Sequence, residues 1–369
     1  MNFLFDEDQD LLRDAAKKLL GDKATLESAH KHMDSGTDYD KDLWSTMAEN
    51  GYQGIAIPEE FGGAGMTYLD LSVLAEELGY HYAHTPFSAS IFGAAEALIV
   101  AGSEQQKASL LPKLASGETI GTTAFYERSG RYDVASITAT ASGGKITGTK
   151  VPVSDGLCAD IAIVAAQAEK GLSLYVVDLT QPGVERTELR TMELTRKQAT
   201  VVFNGAQGEL LGEEGNGAAL LDKITNRMAV LTAFEQLGGA QRALDMAKDY
   251  ALERYCFGRQ IGSYQAIKHR LADMYVKVEM ARSNCFFGAW AMSSSESDIP
   301  EAAAVARISV CDAFLFAAQE NVQIHGGIGF TWEANPHLLL KRMKLQEYAL
   351  GSGNVWKERL YKVLANKAA

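Results

Sequence analysis

Arg254–Gln265 reads RYCFGRQIGSYQ, an Arg-x-x-Phe-Gly run with a Gln seven residues after the glycine. The preceding residues, Ala240–Leu252, carry apolar side chains every three or four positions, the spacing of one helix face. Gly258 and Gly262 interrupt that pattern, which puts Arg254 and Phe257 at a helix end. A second stretch, Gln323–Phe330, reads QIHGGIGF and follows another long helical pattern, Pro300–Ile324. Gly326, Gly327 and Gly329 let a backbone approach something bulky. A glycine-rich turn at a helix end, with Arg and Gln at hand, suits a pyrophosphate. The same glycines also read as an ordinary helix C-cap and turn.

Composition narrows the classes. A chain of 369 residues suggests two or three domains, and 47% hydrophobic residues supply sizeable cores. The net charge of −12, with no Lys/Arg run, argues against nucleic acid and against an anionic membrane as partners. Cys158, Cys256, Cys285 and Cys311 lack CxxC spacing and read as free, buried thiols of a reducing cytoplasm. The opening MNFLFDEDQDLL has no basic n-region or apolar h-region, and no apolar run reaches the ~18 residues of a spanning helix.

Residues 1–118 carry helical periodicity: Asp6–Leu20 with Leu11, Leu12, Ala15, Leu19 and Leu20 on one face, Lys41–Gly51, a helix ending at Gly79, and Ser88–Ala101. PEEFGGAG, 58–65, is a loop. Residues 119–211 change to β-branched, alternating runs: Thr138–Ala141, Lys145–Lys150, Ile161–Ala166, Leu172–Val177 and Ala199–Phe203, with Gly143-Gly144 as a hairpin turn. From 213 the pattern is helical again: Ala218–Glu253, Gln265–Ser295, Pro300–Ile324 and Pro336–Leu350. His81 and His84 read as surface residues beyond a helix C-terminus, lacking a third metal ligand, and Lys341, Arg342 and Lys344 as a solvated helix face.

These stretches together resemble the acyl-CoA dehydrogenase family, and the resemblance runs through essentially the whole chain. It rests on the Arg254…Phe257-Gly258…Gln265 box, the Gln323…Gly326-Gly327 box, the Pro58…Gly65 loop with its Glu76-Glu77-Leu78-Gly79 helix, and the QKASLLP run, 106–112. It implies an α+β fold: an N-terminal α-helical bundle (1–118), a middle antiparallel β domain (119–211) and a C-terminal four-helix bundle that oligomerises (212–369). It further implies FAD as cofactor, an acyl-CoA thioester as substrate and a tetramer. Arg254, Phe257, Gln265, Gln323, Gly326 and Gly327 are then expected at the FAD bound mainly by a neighbouring subunit, with Ser154 and Ser352 as further flavin contacts.

The chain departs from the family where a subunit holds its own flavin. AFYERSGRYD, 124–133, keeps Glu127, Gly130 and Asp133 but carries Arg128 for the usual proline, and Arg131 and Tyr132 for small residues facing the cofactor. GTKVPVSDG, 148–156, keeps the hydroxyl at Ser154 but has Pro152 for an aromatic, losing a backbone donor. Desaturation needs a carboxylate to take the α-proton and a flavin to accept the β-hydride. The family's Tyr-Glu-Gly-Thr segment aligns with EYALGSGN, 347–354, which places Leu350 at the Glu position. Some members carry the base on the long helix instead; counting back from Gln241 lands near Met228, with no acidic residue between Lys223 and Phe234. Glu235 is the candidate left, either a desolvated base or a Glu satisfied by Gln or Arg side chains. His325 reads as a backbone-facing variant in the glycine box. Kept cross-subunit boxes beside degraded own-flavin segments resemble one subunit of the heteromeric bacterial enzymes of steroid side-chain degradation. A self-sufficient homotetramer using Glu235, or a non-enzymatic acyl-CoA-binding paralogue, are the alternatives.

Overall fold

The three- and four-residue apolar spacing becomes helix at both ends of the chain in a computed structural model, which describes residues 6–128, 130 and 132–368. Six helices come first: α1 (Glu7–Lys23), α2 (Leu26–Ser35), α3 (Lys41–Glu49), α4 (Tyr68–Tyr80), α5 (Glu96–Ala101) and α6 (Glu104–Ala115). Capping boxes start two of them, Asp6 with Gln9 on α1 and Ser103 with Gln106 on α6, each satisfying amides that the first turn leaves unpaired. A π-helical segment, Ser88–Ala95, runs directly into α5.

Seven strands follow: β1 (Gly121–Ala124), β2 (Thr140–Ser142), β3 (Lys145–Ser154), β4 (Ile161–Ala168), β5 (Gly171–Asp178), β6 (Val184–Leu189) and β7 (Gln198–Leu211). They run in the order β1-β4-β2-β3-β7-β5, with β6 on β7; β5 also pairs with β4, so the sheet closes on itself. The domain is antiparallel in most of its pairings, as expected, while β1 and β2 both pair with β4 in parallel. Pro152 sits where the β3–β7 register shifts, between Lys150 and Val153, the kind of irregularity at which a strand tolerates a missing donor.

The C-terminal helices are α7 (Gly217–Glu253), α8 (Gln265–Ser294), α9 (Ile299–His325), α10 (Pro336–Ala349) and α11 (Gly353–Ala368). A short hairpin, β8 (Tyr255–Cys256) with β9 (Arg259–Gln260), joins α7 to α8. The described residues thus extend the expected four helices by a fifth, α11. No described helix is long and apolar enough to cross a membrane.

The chain gathers into two units. One takes in α1, α4 and everything from Ala229 onward; the other comprises His30–Thr67 and His84–Met228. In the first, α4 crosses α7 at backbone contact. A Cβ on Gly79 would lie 1.8 Å from the Glu235 carbonyl oxygen, and one on Gly238 would lie 1.9 Å from that of Glu76. Beside this crossing, Glu76 accepts from Arg13 of α1 at 2.8 Å and from Arg282 of α8. The Glu-Glu-Leu-Gly run therefore serves as the hub of a buried ion-pair network.

Three sequence expectations about charge and burial are corrected. His84 is wholly buried rather than on the surface, and so is Arg342, at 3% exposure. Cys256 is exposed and Cys158 half-buried; only Cys285 and Cys311 are interior thiols. For His84 and Arg342 neighbouring elements supply the burial, which the local pattern does not encode.

The His84 ring meets that of His32 with centroids 4.8 Å apart and planes tilted by 33°, and its Nε2 lies 3.3 Å from Asp40 Oδ2. Burial, then the adjacent His84 and Lys197, outweigh Asp40 and Asp38 and push the His32 pKa down from 6.5 to about 4. Between those values the unfolded chain binds the proton that the folded chain refuses. This contribution to stability is therefore lost as pH falls from 6.5 to 4. His32→Phe, which keeps a ring against His84, is expected to lose less thermal stability over that interval than the wild type. Parallel melting curves at the two pH values check this, and equal declines would contradict it.

Candidate functional site

The two glycine-containing stretches meet. Tyr250, one turn before Arg254 on α7, stacks on His325 at the end of α9, with ring centroids 4.0 Å apart and planes at 22°. The His325 Nδ1–H donates to the Asn321 carbonyl at 2.8 Å, and burial, which outweighs that bond, pushes its pKa down. Tyr250 was not singled out in the sequence; its spacing four residues before Arg254 was the available signal.

Around this contact the predicted residues face outward. Arg254, Gln265, Gln323, Gly326 and Gly327 are all exposed. Phe257 is held at φ +52° with 92% of its surface exposed, and Phe330 is 74% exposed. A Cβ on Gly326 or Gly327 would meet nothing within 4 Å, so open space lies beside both backbones. Gly326 also has φ +68°, where L side chains are strained. An exposed guanidinium, two amides, bare backbone and presented aromatic rings fit a phosphate-bearing, ring-containing cofactor arriving from outside, as FAD is.

The Leu350–Ser352 turn joins α10 to α11. Leu350 is buried at 8% exposure and Gly351 takes φ +92°. Its carbonyls are captured by buried side chains. Trp356 Nε1–H donates to Leu350 O at 3.0 Å, and Arg307 donates to Gly351 O at 3.2 Å and Gln346 O at 3.1 Å. Ser352, with Gly353, Asn354, Lys357 and Met280, lines a cavity of about 450 Å³. Arg307 and Trp356 were not anticipated from the sequence, because nothing local marks either as a donor to that turn.

Glu235 lies in α7 at 3% exposure, with Oε1 3.8 Å from Arg342 Nη1 of α10. Arg342 in turn donates to Ala83 O at 3.2 Å and lies over the Tyr82 ring at 4.1 Å. The next residue, Gln236, accepts from Arg307. Glu235 is thereby linked to the Leu350 turn through its neighbour, while its own carboxylate faces a buried arginine.

Ser154 belongs to the other unit. Its hydroxyl donates to Gln198 Oε1 at 3.1 Å, while its carbonyl accepts from Thr122 Oγ1 at 2.6 Å. Glu127 is fully engaged too, accepting from the Thr138 hydroxyl, the Thr138 and Ala139 amides, and Lys150 Nζ at 2.9 Å. Burial opposes ionisation of Glu127, but these donors overcome it and hold its pKa at about 2. Tyr126 and Tyr132 pack edge to face, centroids 5.3 Å apart. Arg131, expected to crowd the cofactor, lies outside the described residues. Glu127 and Ser154, one from each departing segment, thus find their partners within the chain.

Known proteins share this sequence and arrangement. Residues 6–118 match the acyl-CoA dehydrogenase N-terminal domain and residues 215–365 its C-terminal domain. The chain is 35% identical to the acyl-CoA dehydrogenase IpdE2 of Mycolicibacterium smegmatis over 94% of its own length and 95% of that protein's. Among solved structures, it superposes with a TM-score of 0.90 and 28% identity on a chain of the ChsE4-ChsE5 complex from Mycobacterium tuberculosis, covering 99% of both chains. It does so also with a TM-score of 0.90 and 29% identity on a chain of the Tcur3481-Tcur3483 steroid ACAD, covering 98% of this chain and 99% of that one. With this identity over almost its whole length and both helical domains matched, the chain belongs to the acyl-CoA dehydrogenase family, FAD-dependent oxidoreductases acting on CH–CH bonds.

Proposed function

We propose that this chain is the flavin-sharing, non-catalytic subunit of a heteromeric acyl-CoA dehydrogenase, a tetramer that desaturates a bulky acyl-CoA thioester between Cα and Cβ. The observation that carries this reading is an asymmetry between two sets of flavin positions. The set that reaches outward is open: Arg254, Phe257, Gln323, Gly326 and Gly327 are exposed. The set that serves a subunit's own flavin is closed or altered: Ser154 bonds Gln198, Glu127 holds four donors, and Leu350 stands where a base belongs. The likeness to chains of a two-protein complex and of a steroid ACAD supports the heteromer and the bulky acyl group. We read the chain's division of labour as 1–118, 119–211 and 212–369, the last carrying the assembly contacts.

When bound, FAD supplies the hydride acceptor of the desaturation. In this reading Arg254 pairs with phosphate oxygens of a flavin seated mainly on the partner, Gln265 and Gln323 donate amides to it, and Phe257 packs on its rings. Ser352 offers a hydroxyl from the α10–α11 turn. Leu350 cannot take a proton, and Glu235 serves as counter-ion to Arg342, so the α-proton is taken by a carboxylate of the partner subunit.

Visible spectra test the reading. The chain expressed alone is expected to be colourless and to acquire a stoichiometric flavin band when co-expressed with a second dehydrogenase subunit. A full flavin band and turnover from the chain alone would replace this reading with a self-sufficient homotetramer. Leu350→Glu is expected to create no activity in the chain alone, because a carboxylate restored there still lacks a flavin held by its own subunit. Substantial turnover from that variant would place an active site in this chain.

A further inference from the structure

Arg307 has none of its surface exposed, and no carboxylate among the described residues pairs with it; its guanidinium donates to Gln236 Oε1 and to the carbonyls of Gln346 and Gly351. Burying a cation among neutral acceptors carries a desolvation cost that hydrophobic packing of the same volume would avoid. The acceptors themselves suggest what the cation does. The last carbonyls of a helix have no intrahelical donor, and a terminal glycine commonly folds back to cap them. At the end of α10 the C-cap residue, Leu350, has φ −123° and ψ 17°, and Gly351 after it takes the left-handed φ of +92°. Side-chain donors from other helices reach the carbonyls here: Arg307 on α9 for Gln346 and Gly351, and Trp356 on α11 for Leu350.

We propose that Arg307 is a positioning residue, one that places the Leu350–Ser352 turn by capping α10 from α9. One arm of its planar fork, Nη2, donates to two carbonyls five residues apart in sequence, at 3.1 and 3.2 Å, while the other, Nη1, is left for a third acceptor. Gln236 fixes the fork from α7, beside Glu235. The turn is thus located by three other helices, and with it the Ser352 hydroxyl. The consequence for flavin binding rests on the function proposed above; the placement of the turn does not.

Amide hydrogen exchange on the chain alone tests the placement. In Arg307→Met, amides of residues 346–356 are expected to exchange roughly tenfold faster or more, the range for losing a charge-assisted hydrogen bond, while β5 stays protected. Arg307→Lys is expected to fall between the two, and it carries the comparison if the Met variant does not fold. Unchanged protection of 346–356 in the folded variant would overturn the proposal. A second arm titrates FAD into the complex co-expressed with a second dehydrogenase subunit. Arg307→Met and Ser352→Ala are expected to weaken FAD binding similarly, and the double variant no further than either alone. Additive losses would show that Arg307 does not act through Ser352. If Ser352→Ala alone binds FAD normally, Ser352's proposed flavin contact fails, and the exchange result still decides whether Arg307 places the turn.

Discussion

Replacing Arg254 by Ala is expected to lower the FAD affinity of the assembled enzyme by roughly one to two orders of magnitude, as follows from about 1.5–3 kcal/mol for a hydrogen bond to a charged group. Arg254 is exposed just beyond α7, and its backbone N–H closes the last turn on Tyr250 O at 2.8 Å. Neither the helix nor a buried ion pair depends on the side chain, so the substitution reports on ligand contact rather than folding. Phe257→Ala at the adjacent exposed position is the natural companion. The measurement is a fluorescence-quenching titration of FAD into the co-expressed, flavin-stripped complex, with assembly checked by gel filtration. An unaltered titration curve for Arg254→Ala would remove the cross-subunit role.

Changes at Glu235 separate a counter-ion from a base. Glu235→Ala is expected to destabilise the chain by about 3–5 kcal/mol, because removing one member of a buried ion pair leaves the other uncompensated. The residue left behind is Arg342, itself only 3% exposed, and the shortest Glu235–Arg342 distance is 3.8 Å. Glu235→Gln keeps the shape and an accepting oxygen, so turnover of the folded, FAD-loaded complex is expected to stay within a small factor of wild type. Were Glu235 the base, the same change would remove proton abstraction and cut turnover by about 10²–10⁴. Denaturant midpoints and single-turnover flavin bleaching read the two effects separately. A loss of bleaching rate in Glu235→Gln with an unchanged midpoint would move the chemistry into this subunit.

Much of this was written locally. Helices α7 to α10 follow from apolar spacing, and Gly258, Gly262 and Gly326 mark their ends, because helix faces and breakers act within a few residues. The two boxes, the missing carboxylate at Leu350 and the altered segments at 124–133 and 148–156 are likewise visible by position alone. Strands β1 and β6 escaped notice: the first is four residues long, and the second alternates Val184, Arg186 and Glu188 against polar neighbours on a half-exposed edge. What only the tertiary structure decided is the fate of the polar side chains. Arg342 and His84 looked solvated and are buried; Glu235 read as either a desolvated base or a Glu satisfied by Gln or Arg side chains, and it faces an arginine from another helix; the Ser154 hydroxyl looked available and bonds Gln198. Arg307 drew no attention, yet it grips carbonyls 39 and 44 residues away in sequence. Sequence periodicity records which face of an element avoids water. Which charge that face meets depends on elements brought together from distant parts of the chain, and the cost of an unpaired buried charge then fixes each partner.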